Sequence, residues 1–320
     1  MRVAWFILVG FCAYSLAPLR GAQPLAPQND QIKLEETGLY ADARPYIDEP
    51  LPKLKKIVHE LKGAEAGRSH EPLPNLLAKI GAKADELLQS LPDLISDEGI
   101  TQNEFTESDA AGCTGLGCAS GDKAKRSEGK FNYIIVRHLE KDQRGRLEEY
   151  RSGHDGKPAS EGASGRFQGF IMTWITFSSA NQQESRFCDL GEQRMDGHNT
   201  FVVGFAQIPG SVENPGRIVT PSAETPMLLQ GIAWVDQADF RIVRLRTDLL
   251  APQPQAGMQR QVANIGFGPV HIAAENNLEL WLPHAVDIEM EGSGREFFEE
   301  HKYSNYRLFQ VKAKILAPAN

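Results

Sequence analysis

The sequence predicts an α+β protein whose main element is a curved antiparallel β-sheet with N-terminal helices packed on it. Three observations predict this class. Apolar residues between about 45 and 92 recur at helical spacing, segments after residue 130 follow a two-residue period, and turn-forming residues separate those segments. The chain has 320 residues, 41% hydrophobic and 24% charged, so it can bury one or two ordinary cores.

Two helices are expected in the N-terminal part. Pro50 and Pro52 precede a first apolar stripe, and Gly63 can end it. A second helix is expected from about Pro74. Both stripes need an apolar partner surface, so we expect the helices to dock on the core. Their apolar positions are Leu54, Ile57, Val58 and Leu61 in the first and Leu76, Leu77, Ile80, Ala84, Leu87, Leu88 and Leu91 in the second.

About ten strands are expected after residue 130. Short turns such as Asp196-Gly197 favour antiparallel hairpins between neighbours, and Pro283 favours a bend or bulge between two strand-like pieces. The expected strands are Phe131–His138, Phe167–Phe177, Arg186–Leu190, Thr200–Gln207, Leu228–Val235, Phe240–Leu245, Val262–Ala273, Leu278–Leu282, Ala285–Glu291 and Asn305–Ile315.

Several of these strands are apolar on both faces. Ile232 and Trp234 alternate with Ala233 and Val235, whereas Val286, Ile288 and Met290 alternate with acidic residues. A sheet covered by helices on one face would still leave apolar residues on the other. That second face must meet another layer, a curl of the sheet or a ligand. A strongly curved sheet around an apolar cavity satisfies this requirement.

The first 22 residues are typical of a secretory signal peptide. Arg2 is followed by an apolar run to Leu16 that is short for a membrane span, then by Pro18, Gly21 and Ala22. Cleavage near Ala22 is expected. An uncleaved anchor is the alternative, because Arg20 occupies a position where a small residue is usual. Lipid attachment at Cys12 is disfavoured by the bulky residue before it.

Charge excludes one class of partner. The formal net charge is −8, and removal of residues 1–22 takes away Arg2 and Arg20 and lowers it to −10. Phosphate recognition needs clustered lysine and arginine, so we expect no nucleic-acid partner. No second long apolar run follows the first, so we expect no integral membrane protein once the signal is cleaved.

Three cysteines remain after cleavage, and their pairing is open. Cys113 and Cys118 lie in one glycine-containing loop and can form a local disulfide or stay free thiols, while Cys188 stands apart. Metal binding at this spacing has weak support because a second cysteine or histidine pair is absent nearby.

Composition shifts divide the chain into five parts. We expect a signal peptide over 1–22, an extended leader over 23–43, a helical segment over 44–105, a flexible Gly/Ser/Cys loop over 106–130 and the antiparallel β domain over 131–320.

Three groups of polar residues are candidate active sites. Ser164 lies in one loop with His154 and Asp155, but no nucleophile elbow presents it. Glu299, Glu300 and His301 lack the spacing of a zinc protease, and a solvated turn before the last strand is expected there. Asp287 and Glu289 share a strand face about 7 Å apart. A wet face opposing Arg241, Arg244 or Arg246 is the simpler explanation. We therefore expect no catalytic residue, metal or cofactor.

Four short segments of the expected strands carry a resemblance to a known family: 196–203 (DGHNTFVV), 230–236 (QGIAWVD), 240–246 (FRIVRLR) and 280–283 (LWLP). The series over about 130–315 is similar to that of periplasmic lipoprotein-carrier and lipoprotein-sorting (LolA-like) proteins. It also resembles a group of secreted acidobacterial proteins of unknown function. The resemblance implies a half-barrel, a curved antiparallel sheet closed by helices that binds acyl chains in its concavity.

A ligand site follows as a hypothesis. Arg244 and Arg246 share a strand face with Phe240 and Ile242, with Arg241 on the other, so an arginine could hold the head group of a lipid-like ligand. The aromatic side chains around the tail would be Trp174, Phe205, Trp234 and Trp281. The alternative is that the arginines form exposed ion pairs and the aromatics are simply core.

The expected function is therefore non-catalytic binding of an amphiphile, such as a lipoprotein acyl chain, by a periplasmic or otherwise secreted protein. An interaction module for another envelope protein is the second class, and a hydrolase is the third. A large apolar cavity favours amphiphile binding. A filled interior with an exposed apolar patch favours the interaction module. Convergent polar groups in a cleft favour the hydrolase.

Overall fold

The computed structural model describes residues 38–67, 71–106, 125–139, 145–153, 170, 172–219, 224–272 and 278–309. The expected signal peptide, most of the leader, and the pair Cys113 and Cys118 lie outside these residues. So does the loop that carries His154, Asp155 and Ser164.

Two α-helices form within the described residues at the two places that the apolar stripes predict, but the first ends at Ile57 and the chain continues as a 3-10 helix over His59–Gly63. Helix α1 spans Leu51–Ile57 and helix α2 spans Leu73–Ser90. Each has a proline in its first turn, where the missing N–H costs no helical hydrogen bond. Short 3-10 helices lie at Tyr46–Asp48, His59–Gly63, Met172–Phe177, Gln182–Glu184 and Pro254–Ala256.

Twelve strands are present in the described residues, and every pairing between them is antiparallel. Ten form one open sheet in the order β3-β2-β1-β12-β11-β10-β9-β8-β5-β4, and β6 pairs with β7 alone. The strands are β1 Leu94–Thr106, β2 Lys125–Leu139, β3 Gly145–Ser152, β4 Ser185–Met195, β5 His198–Gln207, β6 Gly216–Val219, β7 Glu224–Met227, β8 Leu229–Asp236, β9 Ile242–Leu249, β10 Arg260–Ile272, β11 Leu278–Gly292 and β12 Arg295–Leu308.

The sheet begins earlier in the chain than expected. Strand β1 lies inside the segment 44–105 that was expected to be helical, and β2 begins at Lys125, inside the expected loop 106–130. Strand β1 lies between β2 and β12 in the sheet. Its inward positions include Ser96, Glu98 and Gln102, all buried. Polar residues at buried positions hide the alternation by which a strand is recognised.

Two further corrections concern Met172–Phe177 and the residues around His301. Met172–Phe177 is a 3-10 helix and not part of a strand, and the segment is too short for its period to separate strand from helix in the sequence. Glu299 and His301 were expected in a solvated turn. They lie within β12, with 3% and 0% of their surface exposed. The bend expected at Pro283 is confirmed as a register shift between β10 and β11.

The sheet has two covered faces, and the two helices lie on opposite ones. We call the face under α2 the inner face and the face under α1 the outer face. Val203, Ala233 and Val235 belong to the inner core together with the apolar side of α2. Their strand neighbours Val202, Ile232 and Trp234 pack against Leu54, Val58 and Leu61 around α1. Two layers thus cover the strands that are apolar on both faces.

The inner face curls around one short segment. Residues 170 and 172–177, which we call the cover segment, contact β12 through Phe170, β10 through Trp174 and both β5 and β4 through Phe177. The six residues of the 3-10 helix Met172–Phe177 rise about 12 Å. Strands β12 and β4 are six spacings apart, about 29 Å in a flat sheet. Because the short segment reaches both, the sheet is strongly curved.

The end of the expected leader is part of the packed body. Tyr40 is buried, and its hydroxyl donates to Pro226 O at 3.1 Å and accepts from Leu228 N at 2.9 Å. Farther along, Glu65 and Glu192 exchange backbone hydrogen bonds of 2.8 and 3.0 Å. These contacts fix the N-terminal segment to the outer side of the sheet and to strand β4.

Gly191 tests the contact with Glu65. It has a φ of +101°, and a Cβ there would lie 2.0 Å from Glu65 O, whereas Gly197 has a φ of +90° with open space around it. Both substitutions to alanine carry the left-handed penalty of about 1–2 kcal/mol. We expect Gly191→Ala to lower the free energy of unfolding by about 3 kcal/mol or more because backbone must also move. Urea denaturation of the two variants measures this, and equal losses would contradict the contact.

Candidate functional site

The inner face is an aromatic and aliphatic surface under a thin cover. Trp174 tilts against Phe267 with ring centroids 6.1 Å apart, and Phe177 meets Phe205 edge-on at 5.4 Å. Helix α2 adds its buried apolar residues. In the part of the chain that the structure describes, the inner core draws residues from nine of the ten strands. The inner core contains Leu76, Ile80, Ala84, Leu87 and Leu91 of α2 and its C-terminal end.

Helix α2 and the cover segment are joined to each other by a few polar contacts. Gln182 Nε2 donates to Leu77 O at 2.8 Å and to Phe177 O at 2.9 Å, and Ser179 N donates to Asp85 Oδ1 at 3.2 Å. A Cβ on Gly81 would lie 2.8 Å from Ser179 Oγ, so the two elements touch closely there. They therefore form one layer, which packs on the sheet mainly through apolar side chains.

A buried polar cluster occupies the same inner face on strands β1, β3 and β12. Arg151 binds Glu98 through two nitrogens, with Nη2 and Oε1 2.7 Å apart. His301 Nδ1 lies 2.9 Å from Glu98 Oε1, and its Nε2 lies 3.3 Å from Glu299 Oε2. Gln102 Nε2 donates to Glu299 Oε1 at 2.6 Å. We call Glu98, Gln102, Arg151, Glu299 and His301 the inner cluster.

The inner cluster is ionised in spite of its burial. Burial alone raises the pKa of Glu98, but the hydrogen bonds and charges of His301 and Arg151 lower it to about 2. Burial alone lowers the pKa of His301, but the hydrogen bonds to Glu299 and Glu98 raise it above its ordinary value. Because both ring nitrogens face carboxylates, the imidazolium, which donates from both, is the form that satisfies them.

Aromatic side chains enclose the cluster. The Phe170 ring of the cover segment packs edge-on against His301, with centroids 5.4 Å apart, and against Tyr303 at 6.3 Å. Tyr133 meets Tyr303 at 5.0 Å and donates its hydroxyl to Glu149. Burial raises the pKa values of Tyr133 and Tyr303 well above the usual range, so both are neutral.

The structure separates the seven residues of the predicted ligand site. Phe205 lies on the inner face, and Trp174 packs against that face from the cover segment. Trp234 lies on the outer face, where its Nε1 donates to Gln193 Oε1 at 3.0 Å. A buried tryptophan with a satisfied N–H is a core residue of the α1 layer.

The two arginines also lie on the outer face, in salt bridges. Arg246 is buried and pairs with Glu60 at 2.9 Å and with Asp248 at 2.8 Å. Arg244 pairs with Asp196 at 3.0 Å. The expected shared face with Ile242 is wrong, because the β8–β9 register shifts between Trp234 and Val235 and returns Ile242 to the inner face.

Phe240 and Trp281 lie at the boundary between the two faces. Phe240, with a φ of +62°, precedes β9, stacks on Phe201 at 6.3 Å and lies under Lys79 Nζ at 4.6 Å. Trp281 Nε1 donates to Ile242 O at 2.7 Å, and Arg241 lies 5.5 Å from its ring. Phe240 therefore connects the β8–β9 turn to helix α2.

The inner face is filled by protein side chains, and an indentation elsewhere is polar. A groove of about 310 Å³ lies over β2, β1 and β12, lined by Gly99, Ile100, Thr101, Glu128, Gly129, Lys130, Glu300 and Lys302. Its charged walls do not fit the expected apolar cavity. Nearby, Glu289 pairs with Arg260 at 2.8 Å and not with the arginines of β9. The pKa of Asp287 is raised, first by burial and then by the negative charge of Glu300.

Two kinds of feature are absent from the described ranges. No three His, Cys, Asp or Glu side chains there are grouped to hold a metal ion. No helix there has the length and hydropathy of a membrane span.

Sequence reasoning missed the inner cluster. Each strand contributes only one or two polar residues at alternating positions, such as Glu98 and Gln102 in β1 or Glu299 and His301 in β12. The sequence shows that Glu299, His301 and Tyr303 alternate along one strand, but it does not show which residues of other strands they contact. The cluster forms only because β1 pairs with β12, which are about 200 residues apart.

Comparison with solved structures gives remote similarities. No family model and no curated protein matches this chain. A putative outer-membrane lipoprotein-sorting protein domain from Vibrio parahaemolyticus is 14% identical with a TM-score of 0.37, covering 74% of this chain and 93% of that one. A LolA superfamily protein from Nitrosomonas europaea is 14% identical with a TM-score of 0.33, covering 74% and 94%. A DUF1329 family protein from Desulfovibrio piger is 13% identical with a TM-score of 0.35, covering 74% and 93%.

The chain is thus similar to solved structures of the LolA-like group that its strand segments resemble. At TM-scores below 0.5 these similarities support no conclusion about ligand or partner. The side chains of the inner face have to supply that argument.

Removal of Arg151 measures how far the cluster stabilises the sheet. Arg151→Met leaves Glu98 charged and buried without its main partner, which typically costs 3–5 kcal/mol of unfolding free energy. Arg244→Met is the matched control, because its pair with Asp196 is partly exposed and contributes about 0–1 kcal/mol. Chemical denaturation of both variants gives the difference. Similar losses would show that the cluster is not the stabilising element of β1, β3 and β12.

Proposed function

We propose that this protein binds the apolar chain of an amphiphile, such as a lipid or a lipoprotein acyl chain, against the inner face of the sheet without catalysing a reaction. One observation carries the proposal. The largest buried apolar cluster among the described residues lies on the curled inner face, and helix α2 and the cover segment, which pack on it through apolar side chains, form much of its cover. Displacing this cover exposes a concave apolar surface.

The free energies of burial allow a ligand's apolar chain to replace the cover. Uncovering the four apolar residues that α2 buries most fully costs about 1.5–3 kcal/mol for each of the three larger ones and about 0.8 kcal/mol for the alanine. A chain of about sixteen carbons gains about 0.8 kcal/mol per buried CH₂, or about 12 kcal/mol before entropy. The two terms are of similar size. Exchange of helix for chain is therefore close to balanced, as a reversible carrier requires. The four residues are Leu76, Ile80, Ala84 and Leu87.

One of the predicted site residues fits this position. Phe205 lies on the inner face, and we propose that it contacts the chain. Trp174 packs on this face from the cover segment and moves with the cover. Arg244, Arg246 and Trp234 take no part, because they are occupied on the outer face. The polar head of the ligand is then left at the boundary of the layer, near Phe240 and Trp281.

The other two function classes have less support. Among the described residues only Ile57 and Leu308 are large, apolar and exposed, so they offer no extended apolar patch for a partner protein. The inner cluster has shifted pKa values, but its atoms are enclosed under Phe170, where a substrate of a hydrolase has no access.

Location outside the cytoplasm is part of the proposal. It depends on the apolar segment and small residues before Ala22, and the acidic mature chain suits a soluble envelope protein with no nucleic-acid partner. The proposed ligand class is the one that the strand resemblance implies.

Fluorescent fatty acid tests the binding. We expect the emission of parinaric acid to rise saturably at a stoichiometry near one, and unlabelled oleate to displace it. Acetate has the same carboxylate without the chain and should not compete. Loss of the signal in Phe205→Ala with an intact urea transition would support the inner face as the site. Absence of binding to the wild type at any concentration below the micellar range contradicts the proposal.

A reversible staple tests the displacement of α2. A Cβ at residue 81 would lie 2.8 Å from Ser179 Oγ. The double variant Gly81→Cys and Ser179→Cys therefore brings two thiols close enough to form a disulfide. The oxidised form ties α2 to the chain entering β4, and we expect fatty-acid affinity to fall at least tenfold. Reduction should restore it. Wild type under the same redox cycle is the control, and unchanged affinity in the oxidised form would contradict the displacement.

A further inference from the structure

His301 lies at the contact between the sheet and the cover segment. It has no exposed surface, and the Phe170 ring packs on its imidazole. Phe170 begins the segment whose Trp174 and Phe177 cover the middle and the far side of the inner face. A change of charge at His301 therefore occurs directly under the first residue of the cover.

The groups that face His301 carry a net negative charge without it. Strand β1 supplies Glu98, β12 supplies Glu299 and β3 supplies Arg151, together −1. Glu149 of β3 adds a further negative charge nearby, while Tyr133 of β2 and Tyr303 of β12 are neutral. The side chain that the cover segment presents is the uncharged Phe170. With His301 protonated, the charges of Glu98, Glu299, Arg151 and His301 sum to zero, and with His301 deprotonated they sum to −1. Glu149 adds its own negative charge in both states.

We infer that the proton on His301 is a switch for the cover: protonated His301 holds the cover segment closed, and loss of the proton releases it and opens the inner face. Enclosing a net charge away from water is costly, whereas a neutral, hydrogen-bonded set of charges is tolerated. The deprotonated ring also loses one of its two donated hydrogen bonds. The link to ligand access rests on the proposed function, but the opening itself does not.

The direction of the pH effect follows from the linkage between proton binding at His301 and closure of the cover segment. The pKa of His301 is raised in the closed state by its hydrogen bonds to Glu299 and Glu98 against the opposing effect of burial. A group whose pKa is raised stabilises the closed state at low pH, and this contribution is lost as pH rises through the closed-state value. Glu98, with a pKa of about 2, stays charged throughout. One proton changes the opening constant by at most tenfold per pH unit.

Hydrogen exchange of the ligand-free protein tests the switch. We expect amides of residues 172–177 to lose protection as pH rises above neutral, by up to tenfold per pH unit after correction for intrinsic exchange. Amides of β8 on the outer side should keep theirs. Protection that is independent of pH between 6 and 9 would overturn the inference.

Two variants assign the effect to His301. Glu299→Gln keeps a partner for Gln102 but removes one negative charge, and it should move the transition to lower pH. His301→Gln should abolish the pH dependence. His284→Gln is the control, because His284 is exposed on the outer face beside Gly266 and its loss should change nothing. A wild-type transition in all three variants would contradict the assignment.

A second measurement covers the case in which His301→Gln does not fold. The imidazole ¹⁵N shifts of wild-type His301 report its protonation directly, and its titration should coincide with the opening transition. A neutral His301 at pH 6 would overturn the inference. If exchange shows the switch but parinaric acid does not bind, the proposed function fails and the switch stands. If the ligand binds with equal affinity on both sides of the transition, the switch does not control access.

Discussion

One constraint organises this molecule: a single antiparallel sheet is apolar on both faces over β5, β8 and β9. Each face must be covered to keep it from water, and the chain supplies one layer for each. Helix α1 and its neighbours cover the outer face with Trp234 at the centre. Helix α2 and the cover segment cover the inner face. The curl of the sheet lets a short cover reach most of its width.

The two layers differ in how firmly they are held. The outer layer is held by polar contacts as well as packing, including the pair of Arg246 with Glu60 and the backbone exchange between Glu65 and Glu192. The inner layer is held mainly by side-chain packing, with Arg137 of β2 donating to Gln89 O of α2, and its contact with the sheet at Phe170 lies on a cluster of charges. The proposed binding at the inner face and the proposed switch at His301 both depend on this difference.

Much of the fold could be predicted from the sequence because its signals are local. Helix α2 has a regular stripe and a proline start, and most strands after residue 180 are apolar runs bounded by recognisable turns. Strand β1 could not be predicted, since its buried positions carry Ser96, Glu98 and Gln102. Met172–Phe177 could not be distinguished from a strand because its run is too short to show a helical period.

The site was harder to predict than the fold. Phe205 was expected near a ligand and lies on the inner face, and Trp174 packs on that face from the cover segment. Arg244 and Arg246 were expected to share a face with Ile242, but the one-residue register shift in the β8–β9 pair puts Ile242 on the opposite face from them, and the sequence alone does not show this shift. The inner cluster depends on pairs between distant strands, so the sequence contains no sign that Arg151 and His301 both bind Glu98.

Displacement of α2 by a bound chain is the central claim, and a distance across the layer tests it most directly. Spin labels at Lys83 on α2 and Lys302 on β12, in a chain with its native cysteines replaced by serine, report this distance by double electron–electron resonance. The account predicts that saturating oleate shifts the distribution to longer distances and that acetate leaves it unchanged. An unchanged distribution with oleate bound would contradict it and would place the ligand outside the inner face.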